Sequence, residues 1–112
     1  MPTLRSKEEF ARIGAKGRTR ADRLLVVRFV PNALDHDRYG ISTGRRLGGA
    51  VQRNRVRRRI REILRRSPGE PGPGWDVLVV ARPDSVEASF DELHAALERL
   101  LGAVRGSVKS SS

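Results

Sequence analysis

Between Arg45 and Arg66 the chain carries ten arginines against one acid, Glu62. That density of fixed positive charge on one segment calls for a polyanionic partner. Arginine rather than lysine points to forked hydrogen bonding with phosphate and base edges, because the planar guanidinium presents paired donors. The run also has a pattern. Val56, Ile60, Ile63 and Leu64 recur at i, i+4, i+7 and i+8, which makes one apolar stripe of a helix. Asn54, Arg58, Arg61 and Arg65, at i, i+4, i+7 and i+11, fall together roughly opposite that stripe. The spacing predicts a helix from about Gly49 to Arg66, docked by one side and presenting a basic row on the other. A disordered basic tail shows no such stripe. Gly48 and Gly49 allow a sharp turn ahead of it and a close approach of backbone to nucleic acid.

The candidate nucleic-acid contacts are therefore Arg45, Arg46, Arg53, Asn54, Arg55, Arg57, Arg58, Arg61 and Arg65. Two of them have two readings each. Arg53 projects near the apolar side, so it either reaches the partner or serves the fold, packing its stem on the core or holding a turn. Asn54, a poor helix former, either makes a specific hydrogen bond or is a plain surface residue.

No constellation for protein catalysis is visible. Hydrolysis of a phosphodiester by side chains usually needs clustered carboxylates holding two metals, or a histidine pair acting as acid and base. Here the two histidines sit in separate elements and the carboxylates are scattered. Asp35-His36-Asp37 are adjacent in a polar turn, where neighbouring side chains do not converge on one ion. His94, four residues before Glu98, reads as a surface or partly buried histidine. The absence of cysteine excludes a disulfide, a thiolate zinc site and a thiol nucleophile. No catalytic residue and no protein metal site are expected.

The elements that position the basic helix follow from the rest of the chain. At 112 residues, residues 1–112 read as a single domain. The net charge of +10 and a pI near 11.5 favour nucleic acid or an anionic membrane. The membrane reading is poor, since no apolar run approaches ~20 residues and the N-terminus lacks the apolar core of a signal peptide. A cytoplasmic location follows by default. Aromatics are few (Phe10, Phe29, Tyr39, Trp75 and Phe90), which argues against a stacking platform of the kind used by sheet-based single-strand RNA readers.

Ser6-Lys7-Glu8-Glu9 reads as a capping box opening a short helix, with Phe10 and Ile13 on its inner face and Gly14 and Gly17 ending it. Arg18-Thr19-Arg20 reads as a basic link. Leu24–Val30 and Arg38–Thr43 read as strands, Pro31–Asp37 as a turn region, and Ser67–Gly74, rich in proline and glycine, as a loop. The apolar run Trp75–Ala81 reads as a central strand covered on both faces. Ser89-Phe90-Asp91-Glu92 is a second capping box. It opens a helix with Phe90, Leu93, Leu97, Leu100, Leu101 and Val104 on one stripe. Residues 106–112 read as a polar, flexible tail.

Taken together, Gly40-Ile41-Ser42-Thr43, Arg45-Arg46-Leu47-Gly48, Ala50-Val51, Arg53-Asn54-Arg55, Arg57-Arg58 and Ile60-Arg61-Glu62 resemble the signature of the protein subunit of bacterial ribonuclease P. The early Glu9-Phe10 with Gly17, and the late Trp75–Arg82 strand, stand in the same order, so the resemblance spans roughly Leu4 to Leu101. It implies an α+β fold of order α-β-β-β-α-β-α. In that fold helices pack on a mixed four-stranded sheet, and a left-handed βαβ crossover resembles that of domain 2 of ribosomal protein S5. The general rule for such a crossover is right-handed.

The resemblance also implies a role. The chain would be an accessory subunit of an endoribonuclease. A catalytic RNA with Mg2+ would remove the 5′ leader from precursor tRNA, and the basic helix and loop would dock on that RNA. The first helix and one sheet face would form a shallow cleft for the single-stranded leader, with Phe10, Ile13 and Arg28 as its residues. Gly14 stands where many members carry an aromatic, and Arg28 where some carry tyrosine, so leader contact would lean on charge more than on stacking. Phe10 reads equally well as core. No obligate protein partner is implied.

Other readings stay open on sequence alone. One is a structural, ribosomal-type RNA-binding protein without a processing role. Another is a DNA reader placing the arginine helix in a major groove, although a strand and glycines precede that helix where a helix-turn-helix would have a second helix. A protein-only nuclease is the weakest.

Overall fold

The apolar stripe of the arginine helix is the seam of the fold. The computed structural model describes residues 7–66 and 74–110, with the side chains of residues 7, 9 and 105–110 outside that description. Val56, Ile60, Ile63 and Leu64 are all buried on helix α2 (Ala50–Arg66). Leu93, Leu97, Leu100, Leu101 and Val104 make the matching stripe of helix α3 (Phe90–Ser110). Both stripes close over one face of a sheet built from strands β1 (Arg18–Ala21), β2 (Leu25–Pro31), β3 (Arg38–Ser42) and β4 (Trp75–Ala81). Alternation assigns the faces. Leu25, Val27 and Phe29 of β2, Tyr39 of β3, and Val77, Val79 and Ala81 of β4 point into this main core. Trp75 meets Phe29 edge to face at 5.4 Å.

Helix α1 (Lys7–Lys16) lies on the opposite face. Its Ile13 packs on Val30, with Phe10 and Leu78 beside them. The element order is the expected α-β-β-β-α-β-α, with 3-10 turns at Arg45–Leu47 and Pro83–Val86. Spatially the strands run β1-β2-β4-β3. β2 pairs antiparallel with both β1 and β4, while β3 and β4, joined through α2, are parallel as the strand–helix–strand pattern implies. Ser89 caps α3 as expected: its Oγ accepts from the Glu92 amide at 3.1 Å, and its own amide donates to Glu92 Oε1 at 3.0 Å. Among the described residues no helix is long and apolar enough to cross a membrane.

Several sequence expectations need correction. The basic link at Arg18–Arg20 is the edge strand β1. All four of its residues are exposed, so it has no apolar alternation to read, and its backbone pairing with β2 holds it. Gly14 does not end α1. The helix runs on to Lys16, and the Gly17 amide donates to Ile13 O at 2.8 Å to close it. Helix α3 continues to Ser110, past the expected start of the tail at Gly106, since Gly106 weakens a helix without removing a backbone donor. Ser6 of the first capping box, residues 67–73 of the Pro/Gly loop, and Ser111 and Ser112 lie outside the described residues.

Two glycines give opposite expectations. A Cβ at Gly14 would meet nothing within 4 Å. Gly14→Ala is therefore expected to raise stability by about 1 kcal/mol, seen as a higher melting temperature. A Cβ at Gly74 would lie 2.0 Å from His36 O, because the turn after β2 folds onto it: the Gly74 amide donates to Leu34 O at 2.8 Å. Gly74→Ala is expected to cost about 1–3 kcal/mol in the same measurement.

Candidate nucleic-acid interface

The approach to α2 is held by a buried anchor and a hydrogen bond. Leu47 is buried and anchors the 3-10 turn that holds Arg45 and Arg46 out in solvent. Gly48 then takes φ +118°, a conformation that suits glycine, and lets the chain turn into α2. Buried Thr43 fixes the other side of the turn, its Oγ1 accepting from Arg57 Nη2 at 2.7 Å. The α2 N-terminus carries no acid in its first turn, so its positive dipole end adds to the arginines instead of being neutralised.

Along α2 the predicted row is real. Asn54, Arg58, Arg61 and Arg65 are all exposed. Asn54, Arg57, Arg58 and Arg61 line a polar cleft of about 230 Å³. The nine predicted contacts differ in what already occupies them. Arg57 ties the helix to Thr43. Arg65 donates to Glu62 at 2.7 Å, and Arg66 also donates to Glu62, at 3.0 Å. The Arg65 hydrogen bond is the main reason the Glu62 carboxyl is held below its ordinary pKa. Arg53 is half-buried, and its Nε is buried with no hydrogen-bond partner among the described residues. Arg45, Arg46, Arg55, Arg58 and Arg61 make no ion pair or side-chain hydrogen bond with other described residues, leaving their guanidinium groups available to a ligand. Arg59, absent from the predicted set, donates to Ala88 O at 2.9 Å and braces α2 against the start of α3.

The second predicted constellation divides. Arg28 is exposed on the α1 side of the sheet, between Thr19 of β1 and Leu78 of β4. Half-buried Val26, Leu78 and Val80 surround it, and α1 covers only the end of this face near Val30, so a shallow trough stays open. Phe10 is half-buried at its margin. Ile13 is fully buried and has no surface left for a ligand, a correction to its expected role: it seats α1 on Val30 and so shapes the trough from below.

One residue that sequence reasoning passed over positions this wall. Asp76 is fully buried in the apolar run of β4. Arg38 donates to it from Nε and Nη2, both at 2.8 Å, and Asn32 Nδ2 donates at 3.0 Å. Arg12 of α1 reaches it from 3.4 Å and also donates to Pro31 O. Burial alone would push this carboxyl up. The hydrogen bonds from Arg38 and Asn32 and the charges of Arg38 and Arg12 outweigh burial and hold it below its ordinary pKa. Only the lone acid inside an apolar strand could have signalled this hub.

The acid-and-histidine turn is held by local bonds. Asp37 accepts from the Trp75 amide at 2.8 Å and from the Tyr39 hydroxyl at 3.3 Å, and Asp35 pairs with His36 at 2.9 Å. His94 pairs with Glu98 one turn on, at 3.0 Å. Among the described residues no three His, Asp or Glu side chains gather to hold a metal.

The chain thus carries a basic helix with guanidinium groups free of other described residues, a glycine turn beside it, and an exposed Arg28 on the other sheet face. Known proteins of this kind are close. The ribonuclease P family model matches residues 2–105. The ribonuclease P protein component of Roseiflexus castenholzii is 40% identical, over 96% of this chain and 92% of its own. The solved ribonuclease P protein of Staphylococcus aureus superimposes with a TM-score of 0.80 at 32% identity, covering 93% of this chain and 95% of that one. The Thermotoga maritima ribonuclease P protein gives 0.79 at 30% identity, covering 90% and 96%. The chain belongs to the family of the ribonuclease P protein component.

Proposed function

We propose that this chain, as the protein subunit of ribonuclease P, docks α2 and the Arg45–Gly48 turn on the catalytic RNA and offers the trough beside α1 to the single-stranded 5′ leader of precursor tRNA. The observation that carries this reading is the set of five arginines on and before α2 that no acid among the described residues neutralises. Their charge offsets phosphate repulsion between catalytic RNA and substrate. Arg28 supplies the charge on the leader side, with Phe10 at the margin.

Hydrolysis and its Mg2+ are assigned to the RNA. Four of the described carboxylates are committed elsewhere: Asp76 and Asp37 brace the sheet, Asp22 accepts from the Leu24 and Leu25 amides and from Arg99, and Glu62 pairs with arginines. Work in the cytoplasm, with precursor tRNA as substrate, completes the reading.

The test is cleavage of a precursor tRNA by a bacterial ribonuclease P RNA at low, near-physiological Mg2+. Maturation of the 5′ end is expected only when RNA and protein are both present. Cleavage by the protein alone, or no gain from the protein even with the RNA of its own source, would overturn the assignment. The same assay with Arg28→Ala is expected to raise KM for substrates with a long leader and to leave leaderless product binding unchanged.

A further inference from the structure

Helix α2 has a second flank that the phosphate-facing row does not use. Across Arg58 from the polar cleft lies a groove of about 550 Å³, lined by Val51, Arg55, Arg58, Arg59, Glu62 and Phe90. Its size falls within the about 300–1,000 Å³ typical of sites that take a compact ligand. Its lining differs in kind from the Asn54–Arg61 cleft. Val51 is 68% exposed, far beyond the other exposed large apolar residue among those described, Leu34 at 38%. Phe90 faces it at the N-terminus of α3, half-buried, with Arg66 over its ring at 5.7 Å and His94 stacked at 6.1 Å. Val51 thus stands open as one apolar wall, and the half-buried Phe90 ring, met by Arg66 and His94, is the other. Arg59 is locked to Ala88 O and shapes the floor, while Arg55 and Arg58 are free at the rim. Glu62 accepts from Arg65 and Arg66, yet a carboxylate has lone pairs beyond those two bonds.

Bare phosphate needs no apolar wall, and a duplex offers no base to fill one. An unpaired nucleotide matches every part of the groove. Its base would lie against Val51 and Phe90, its flanking phosphates on Arg55 and Arg58, and an exocyclic amino group on Glu62. Sequence-specific RNA recognition works in this way, through splayed-out bases set against aromatic and guanidinium planes. We propose that the groove between α2 and the start of α3 is a pocket for one unpaired, amino-bearing base of the RNA that α2 docks on. The proposal rests on the RNA-docking reading above and adds a base contact to its phosphate contacts.

The test uses the full-length chain and two RNA hairpins that differ at one position. One carries a single unpaired adenosine in its stem, and the other an abasic residue at the same place, so phosphate number and stem are equal. The adenosine hairpin is expected to bind about tenfold more tightly. The Val51 methyl and Phe90 ring resonances should shift with it alone. Val51→Ser removes one apolar wall without changing charge, and Phe90→Leu removes the ring while keeping apolar bulk in the core. Each is expected to erase the difference between the hairpins. Circular dichroism checks that each variant folds, and Val51→Ser, on an exposed position, stands as the test should Phe90→Leu unfold. Equal affinities with unmoved Val51 resonances would mean phosphate contact only; that result overturns the pocket and leaves the docking reading intact. Binding of neither hairpin at moderate salt would overturn both.

Discussion

Asp76→Asn is expected to lower the unfolding free energy by about 3 kcal/mol, read as a lower urea midpoint at unchanged slope. The carboxylate is fully buried and bonded to Arg38 twice and to Asn32 once, with Arg12 beside it. An amide of the same shape presents an N–H to a guanidinium where an oxygen stood. Removing one member of a buried pair costs about 3–5 kcal/mol, because the other charge is left without its partner. The lower end applies here, since the Arg38 and Arg12 side chains keep 27% and 42% of their exposure and can turn towards water. Against a total stability of about 5–15 kcal/mol this is a large loss.

The same variant has a signature in pH. The folded-state pKa of Asp76 is depressed below its ordinary 3.8, so its contribution is complete above that value. It is lost as pH falls through the lower folded pKa. The urea midpoints of wild type and variant should therefore converge as pH falls below about 4. A gap that stayed constant into strong acid would sink the assignment. Since Arg12 is one of the side chains Asp76 holds, hydrogen exchange in α1 should quicken in the variant more than in α2.

Replacing Arg55, Arg58 and Arg61 together by glutamine is expected to weaken binding to the ribonuclease P RNA on the order of a hundredfold at moderate salt, about 1 kcal/mol or more for each lost charged hydrogen bond. None of the three holds another described side chain, so the melting temperature should move little. The cause can be read from salt. Each lost phosphate contact should flatten the plot of log affinity against log salt by about 1, so the triple variant should lose roughly two to three units of slope. Arg57→Gln makes the contrasting control. Arg57 donates to buried Thr43, so its loss should lower stability by about 1 kcal/mol as well as perturb binding. A triple variant with unchanged slope would mean that these arginines do not meet phosphate.

What could be read from the sequence followed the physics of each element. Helix α2 was legible because burial on one side and charge on the other repeat with the helical period, and every residue of its stripe is buried. β4 was legible as a run of apolar residues long enough to cross a sheet and too short for a helix of that burial. β1 was not, because an edge strand held by backbone hydrogen bonds needs nothing of its side chains. Ile13 was placed in the right helix but on the wrong side of the surface, since its 0% exposure depends on Val30 across the chain. The Asp76 hub was hidden for a related reason. Its partners Arg12, Asn32 and Arg38 stand 64, 44 and 38 residues away, and no local pattern joins them. The groove at Val51 and Phe90 likewise needs two elements to meet before it exists.

The strand order β1-β2-β4-β3 bears on how the protein comes into being. The strand that joins β2 to β3 is the last one made. β2 and β3 both find their long pairing partner only in Trp75–Ala81. Until those residues leave the ribosome, only the β1–β2 hairpin can form, and a lone hairpin is marginal in water. At the pace of bacterial synthesis, roughly several seconds separate the end of β2 from the end of β4. The arginine segment emerges within that interval, ahead of β4, unsupported by the closed sheet and surrounded by the ribosome's own RNA. A chain whose charged helix is made before the strand that seats it therefore meets polyanions before it has a fold, and its cognate RNA gains by engaging it only after β4 has closed the sheet.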